Sequence, residues 1–280
     1  MNRRQFLHAT AATTLTTQGL PPLFAAEPRG TRRRTKGEKP RGIGPSNIFT
    51  EPPAIEPVTG YLPKFTPVAE GTMRRAFSAT YASVLCHGSA ARSRNTVDRL
   101  GSLVVAFSGT TCKTTEVRNG KPSNIVKTEL QCGGEFNTVS RWALDSSVEG
   151  VRDVHFVEKG TWDGKTMVVK SKSWTQERST GDLLIGRWAL LPLLASGKLK
   201  SKPLTFDLLD DSTLRPNQTL RYIGEVEIPV AGGTAKMSSY AQTGWGVVPT
   251  HYLVDHAGRV QLITMTTVKL ALVELEDEAR

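Results

Sequence analysis

The side chains best suited to chemistry in this 280-residue chain are five histidines, His8, His87, His155, His251 and His256, and three cysteines, Cys86, Cys112 and Cys132. A structural zinc centre draws its ligands from closely spaced pairs, typically two cysteines with two residues between them. No such pair occurs, Cys86-His87 has no matching second half, and His251 and His256 are five apart with His256 in a tight turn, so their side chains should diverge. No metal site is expected. Cys86 and His87 would act as nucleophile and base only if folding turned two adjacent side chains toward each other. Asp210-Asp211 places two carboxylates together, as general acid–base chemistry requires, but neighbours on an extended chain point to opposite sides. A solvated turn is the expectation there. The chain has no G-x-S-x-G elbow, phosphate-binding loop or dinucleotide glycine fingerprint. No catalytic residue and no cofactor is therefore assigned, and a non-enzymatic function is expected.

Cys112 and Cys132 lie on either side of Asn119-Gly120, a dipeptide suited to a hairpin turn. A cross-hairpin disulfide is one reading, and its loop closure would contribute about 3 kcal/mol. Two packed, reduced thiols are the other. Five tryptophans, Trp142, Trp162, Trp174, Trp188 and Trp245, are candidates for a sugar-binding stripe. Only Trp174, which shares strand parity with Lys170 and Lys172, is expected to face outward. Core and strand-edge positions are the default for the rest.

The elements that must position these residues are mostly strands. Residues 151–174 read as two strands around Asp163-Gly164, residues 220–241 as two around Gly232-Gly233, and 249–276 as a hairpin turning at Asp255 to Gly258. In the 220–230 strand, alternation puts Leu220, Tyr222, Val226, Ile228 and Val230 on one face and Arg221, Glu225 and Glu227 on the other. One segment breaks the pattern. Residues 181–198 offer Asp182 as an N-cap, Gly197 as a stop, a run of leucines between them, and Pro192 as a kink. A helix apolar on all sides and too short to cross a bilayer must be buried, here against the apolar face of the sheet.

The formal net charge is +10, but Arg29, Arg32, Arg33, Arg34, Lys36, Lys39 and Arg41 against two glutamates give residues 27–42 alone +5. Arg3 and Arg4 add +2, which leaves +3 for all that follows. The basicity belongs to a Pro- and Gly-rich stretch that cannot bury much apolar surface, expected to be a disordered linker over residues 27–70. It could contact an anionic envelope surface by ion pairing. Nucleic acid is not an expected partner, and a monomer is expected.

Arg3-Arg4-Gln5-Phe6-Leu7 resembles the twin-arginine export signal of bacteria, and Ala25-Ala26 supplies small residues near a cleavage site. The resemblance implies residues 1–26 as an export signal and a periplasmic or envelope location. The hairpins from Gly71 to Glu276, the apolar segment from Asp182 to Ser196, and the closing stretch 249–265 together resemble the superfamily of periplasmic lipoprotein carriers and related secreted half-barrels. That resemblance implies a mainly β domain over residues 71–280: a curved antiparallel sheet forming an open half-barrel, with the apolar helix on its concave face. It also implies a cavity for a lipid or other apolar ligand. Leu184, Trp188 and Leu191 would form its lid, Tyr222, Val226 and Ile228 its floor, and Met167 and Val169 another wall. The alternative is an envelope structural or scaffold protein in which the same residues fill a solid core, and a hydrolase or glycan-binding module is more distant.

Overall fold

The structure is a computed structural model that describes residues 62–85, 98–120, 122–265 and 268–277. The expected export signal and the basic residues 29–41 lie outside the described residues, as do Cys86 and His87. Fifteen strands form one continuous sheet. The first five are β1 (Phe77–Leu85), β2 (Asp98–Ser108), β3 (Thr111–Arg118), β4 (Asn124–Gly133) and β5 (Thr138–Val148). Then come β6 (Val151–Trp162), β7 (Thr166–Ser171), β8 (Thr175–Ser179) and the short β9 (Leu184–Gly186). After the helical segment follow β10 (Leu204–Asp210), β11 (Thr213–Val230), β12 (Gly233–Thr243), β13 (Thr250–Val254), β14 (Val260–Met265) and β15 (Val268–Asp277).

Their order is β4-β3-β2-β1-β15-β14-β13-β12-β11-β10-β9-β5, and β4 also pairs with β5 along its length, from Asn124↔Val148 to Gly133↔Thr138. That pairing closes the ring into a barrel of twelve strands. The expected open half-barrel is therefore incorrect. The return of the chain through β9 to the far edge of β5 was not legible in the sequence, because it rests on three residues. β9 runs parallel to β10 and meets β5 through the single pair Thr138↔Ile185. Strands β6, β7 and β8 continue outward from the remainder of β5 as a flap. β8 is exposed throughout and carries Gln176, Glu177 and Arg178, polar and charged residues that blunt an unpaired strand edge.

The helix is shorter than its sequence suggests. Leu184–Gly186 is strand, Arg187–Ala189 is a 3-10 turn, and only Leu190–Ser196, here α1, is α-helical. Asp182 does not cap it. Its N-cap is Ala189, without a side-chain bond, while Gly197 ends it in the left-handed conformation at φ 71°. Pro192 falls in the first turn, where the amide it lacks would have no helical partner. Leu190, Leu191, Leu193 and Leu194 are buried in the inner core together with residues from strands around the ring. The helix thus plugs a closed barrel rather than lying on an open face.

A second apolar cluster sits on the outer face, where Leu62 and Phe65 cover Ile228, Met237, Leu253, Leu262 and Ala271. Packed structure is thus already present at Leu62, upstream of the expected start at Gly71.

Candidate functional site

A β-bulge decides which side chains reach the interior. The register between β11 and β12 shifts between Tyr222 and Gly224, and Gly224 takes φ 145°, a value that suits glycine alone. The extra residue inverts the alternation downstream. Leu220 and Tyr222 pack with the inner core, while Val226 and Ile228 belong to the outer cluster under Leu62 and Phe65. The expected cavity floor is corrected accordingly: Tyr222 keeps its place, and Val226 and Ile228 face the other way. The other expected cavity residues do meet inside, with Met167, Val169, Leu184 and Leu191 fully buried and Trp188 partly buried against them.

Because of the same bulge Glu225 aligns with Ser238 on the inner side. Its Oε1 accepts hydrogen bonds from Ser238 Oγ at 2.7 Å, Tyr222 Oη at 2.8 Å and Lys200 Nζ at 3.1 Å. Lys200 also lies over the Tyr222 ring at 5.3 Å. The hydrogen bonds from Ser238 and Tyr222, followed by that from Lys200, lower the Glu225 pKa to about 2. This cluster fastens the segment after α1 to one end of the barrel.

The opposite end, beside Ser83, Ser102 and Met265, has the pocket nearest to a site. It is also lined by Glu116, Arg187 and Trp188, and its volume is about 50 Å³. Arg187 Nη1 lies 2.9 Å from Asp210 Oδ1 and its guanidinium 5.6 Å from the Trp188 ring. Arg215 Nε approaches the other Asp210 oxygen at 3.5 Å, and Glu116 takes both bonds of the Arg118 fork, at 2.7 and 3.0 Å. Asp211, at φ 56° in the β10–β11 turn, has its pKa raised by burial and by the charges of Asp210 and Glu116. The turn is not the solvated one that adjacent aspartates suggested, because Ser212 is buried and accepts a 3.2 Å bond from Trp142 Nε1.

Inward from this mouth runs a buried polar chain. Tyr252 Oη donates to Gln242 Oε1 at 2.6 Å, Gln242 Nε2 to Gln218 Oε1 at 3.4 Å, and Gln218 Nε2 to the carbonyls of Pro216 and Trp245 at 2.9 and 3.0 Å. Burial raises the Tyr252 pKa, so the phenol stays protonated as a donor. Glu116, Arg187, Gln218, Gln242 and Tyr252 went unread as site residues because no motif contains them. The available signal was polar residues at inward strand positions.

Cys112 and Cys132 both face the inner core as free thiols. Cys112 stands opposite Leu130, and the Cys132 amide donates to the Thr110 carbonyl at 2.6 Å, so the two sulfurs occupy diagonal positions. Burial pushes the Cys132 thiol up to about 12 and raises Cys112 further, helped by its neighbour. Trp174 is exposed as expected, and so is Trp245. Among the described residues no three His, Cys, Asp or Glu side chains gather as metal ligands.

No protein-family model matches the chain, and no curated protein does. Among solved structures, the chain is similar to the crystal structure of a β-barrel-like protein of domain of unknown function DUF1849 from Brucella abortus. The two are 15% identical over 73% of this chain and 98% of that one, with a TM-score of 0.49.

Proposed function

We propose that this protein is a non-enzymatic structural or scaffold component of the bacterial envelope, working through its outer surfaces rather than through an internal cavity. The observation that carries this reading is the dense packing of large side chains inside the barrel among the described residues. Ligand pockets for small molecules run to roughly 300–1,000 Å³, whereas the pocket at the barrel mouth has about 50 Å³, room for one or two waters. Helix α1 and the large inner side chains occupy the space an acyl chain would need. Salt bridges at one mouth and the Glu225 cluster at the other hold both ends. The envelope location rests on the resemblance of residues 3–7 to an export signal, and residues 29–41 supply a basic stretch for anionic surfaces.

Native mass spectrometry of the full chain, purified without detergent and followed by organic extraction, tests the reading. The expected result is the bare protein mass, with no adduct after addition of fatty acid or phospholipid. A retained mass that extracts as lipid would overturn it and return attention to Leu184, Trp188 and Leu191.

A further inference from the structure

On the outer face of β11 to β15 the register builds one row. Arg221 stands opposite Ala241, Ala241 opposite His251, His251 opposite Thr264, and Thr264 opposite Lys269. Ser239, two residues from Ala241 on β12, shares that face. The row is covered: Ser239 is 0% exposed, Ala241 and Lys269 1%, and His251 8%. Yet Ala241 belongs to neither apolar cluster, and Arg221 Nη2, Ser239 Oγ and His251 Nδ1 are buried without a hydrogen-bond partner. A lysine is this deeply buried only when paired, and Lys269 does have a partner. The outward positions of β11 to β14 hold no Asp or Glu. The cover comes from outside these strands, and a carboxylate is the partner that Arg221 and its neighbours call for.

Position says where to look for it. Leu62 and Phe65 pack over Met237, Leu253, Leu262 and Ala271, which stand two residues from Ser239, His251, Thr264 and Lys269 on their respective strands. The chain upstream of Leu62 therefore meets the barrel one step from the row. That stretch, residues 48–61, contains Glu51 and Glu56, no Lys or Arg, the apolar Ile48, Phe49, Ile55 and Val58, and three prolines. Prolines favour an extended chain that loses little entropy on docking. Five strands at about 4.8 Å spacing make the row about 19 Å wide, and six extended residues, the step from Leu62 back to Glu56, reach about 20 Å. The other stretch that leaves the barrel near the row, residues 86–97 beyond β1, carries Arg92 and Arg94 and no acidic residue. It would add positive charge rather than offset it, as would residues 29–41.

We infer that residues 48–61 form a strap seated in this row, with Glu51 and Glu56 as the carboxylates that meet Arg221, Ser239 and His251 and with apolar side chains lying over Ala241. The strap continues the contact begun by Leu62 and Phe65 and clasps the last five strands from outside. On this assignment the linker expected over residues 27–70 ends at residue 47, so the basic stretch 29–41 adjoins an anchored segment. The inference does not depend on what the barrel holds inside.

The test is the rate at which diethyl pyrocarbonate modifies each histidine of the full chain, resolved by peptide mass spectrometry. His251 should react slowly beside the exposed His155. Reversing the strap charges with Glu51→Lys and Glu56→Lys should speed His251 about tenfold, as expected for the loss of one charge-assisted contact, and leave His155 unchanged. Glu70→Lys, an exposed acidic position outside the strap, should change neither rate. Adding Arg221→Glu to the strap reversal should restore the slow rate of His251. If that combined variant does not fold, the strap reversal alone decides, because it alters no barrel residue. An unaltered His251 rate after the reversal would overturn the assignment, and so would protection that disappears on dilution, which would make a second copy the cover. Neither result would bear on the lipid test of the interior.

Discussion

At the residue scale, close approach governs the inner wall. Trp142 lies across Gly160, its register partner, so tightly that a Cβ there would stand 1.9 Å from Trp142 Cζ2. Gly160→Ala must displace the indole, which is itself tied to Ser212. The expected cost is about 1–3 kcal/mol, read as a lower midpoint in denaturant unfolding. The two thiols belong to this scale as well. Raised by burial, Cys112 and Cys132 should resist alkylation in the native state and react only on unfolding. Peptide mapping without reductant checks this, and recovery of a linked Cys112–Cys132 pair would contradict it.

Glu225 gives the molecule a defined acid response. Its ordinary pKa near 4.5 falls to about 2 on folding. A depressed carboxylate contributes stability that is fully present above the unfolded value and is lost as pH falls through the folded one. Stability should therefore decline between pH 4.5 and 2, and Glu225→Gln should flatten that part of the curve. Because the carboxylate is exposed, water screens much of the effect. The comparison of slopes in chemical unfolding at each pH is the measurement.

At the scale of elements, the plug is the most informative target. Leu191 is fully buried in α1, and Leu191→Ala should cost about 2–5 kcal/mol through the lost contacts and the cavity left behind. Calorimetric melting would show it. The limits of the sequence reading are also clearest here. The turns at Asp163-Gly164, Gly232-Gly233 and Asp255 to Gly258 were legible because their chemistry is local: the Asp163 carboxylate accepts from the amides of Lys165 and Thr166. The bulge at Tyr222–Gly224 was not, since strict alternation fits Val226 and Ile228 equally well on either wall when both walls are apolar. The helix start was misread for a related reason. Asp182 has cap chemistry, but the segment after it completes the ring beside β10, and pairing outweighed local preference. Of the mouth cluster, the sequence singled out Asp210, Asp211 and Trp188 without their partners. The Arg187–Asp210 pair depends on how the turn after β9 is laid against the end of β10, and the Tyr252–Gln242 bond on which face each strand turns inward.

For the whole molecule, the ring is uneven. Most strands meet along many residues, but β5 and β9 join at Thr138↔Ile185 alone. Amide hydrogen exchange should be fastest along this join among the inner strands, and protection there equal to that of β1 and β15 would count against it. At the other extreme lies the pairing of β1 with β15, which runs from Phe77↔Asp277 to Leu85↔Val268. The first strand of the barrel acquires one of its two neighbours only from the last. During synthesis β1 must therefore wait with an open edge until β15 has left the ribosome. A message truncated anywhere before β15 would release not a smaller barrel but a sheet with an unpaired border, ready to aggregate.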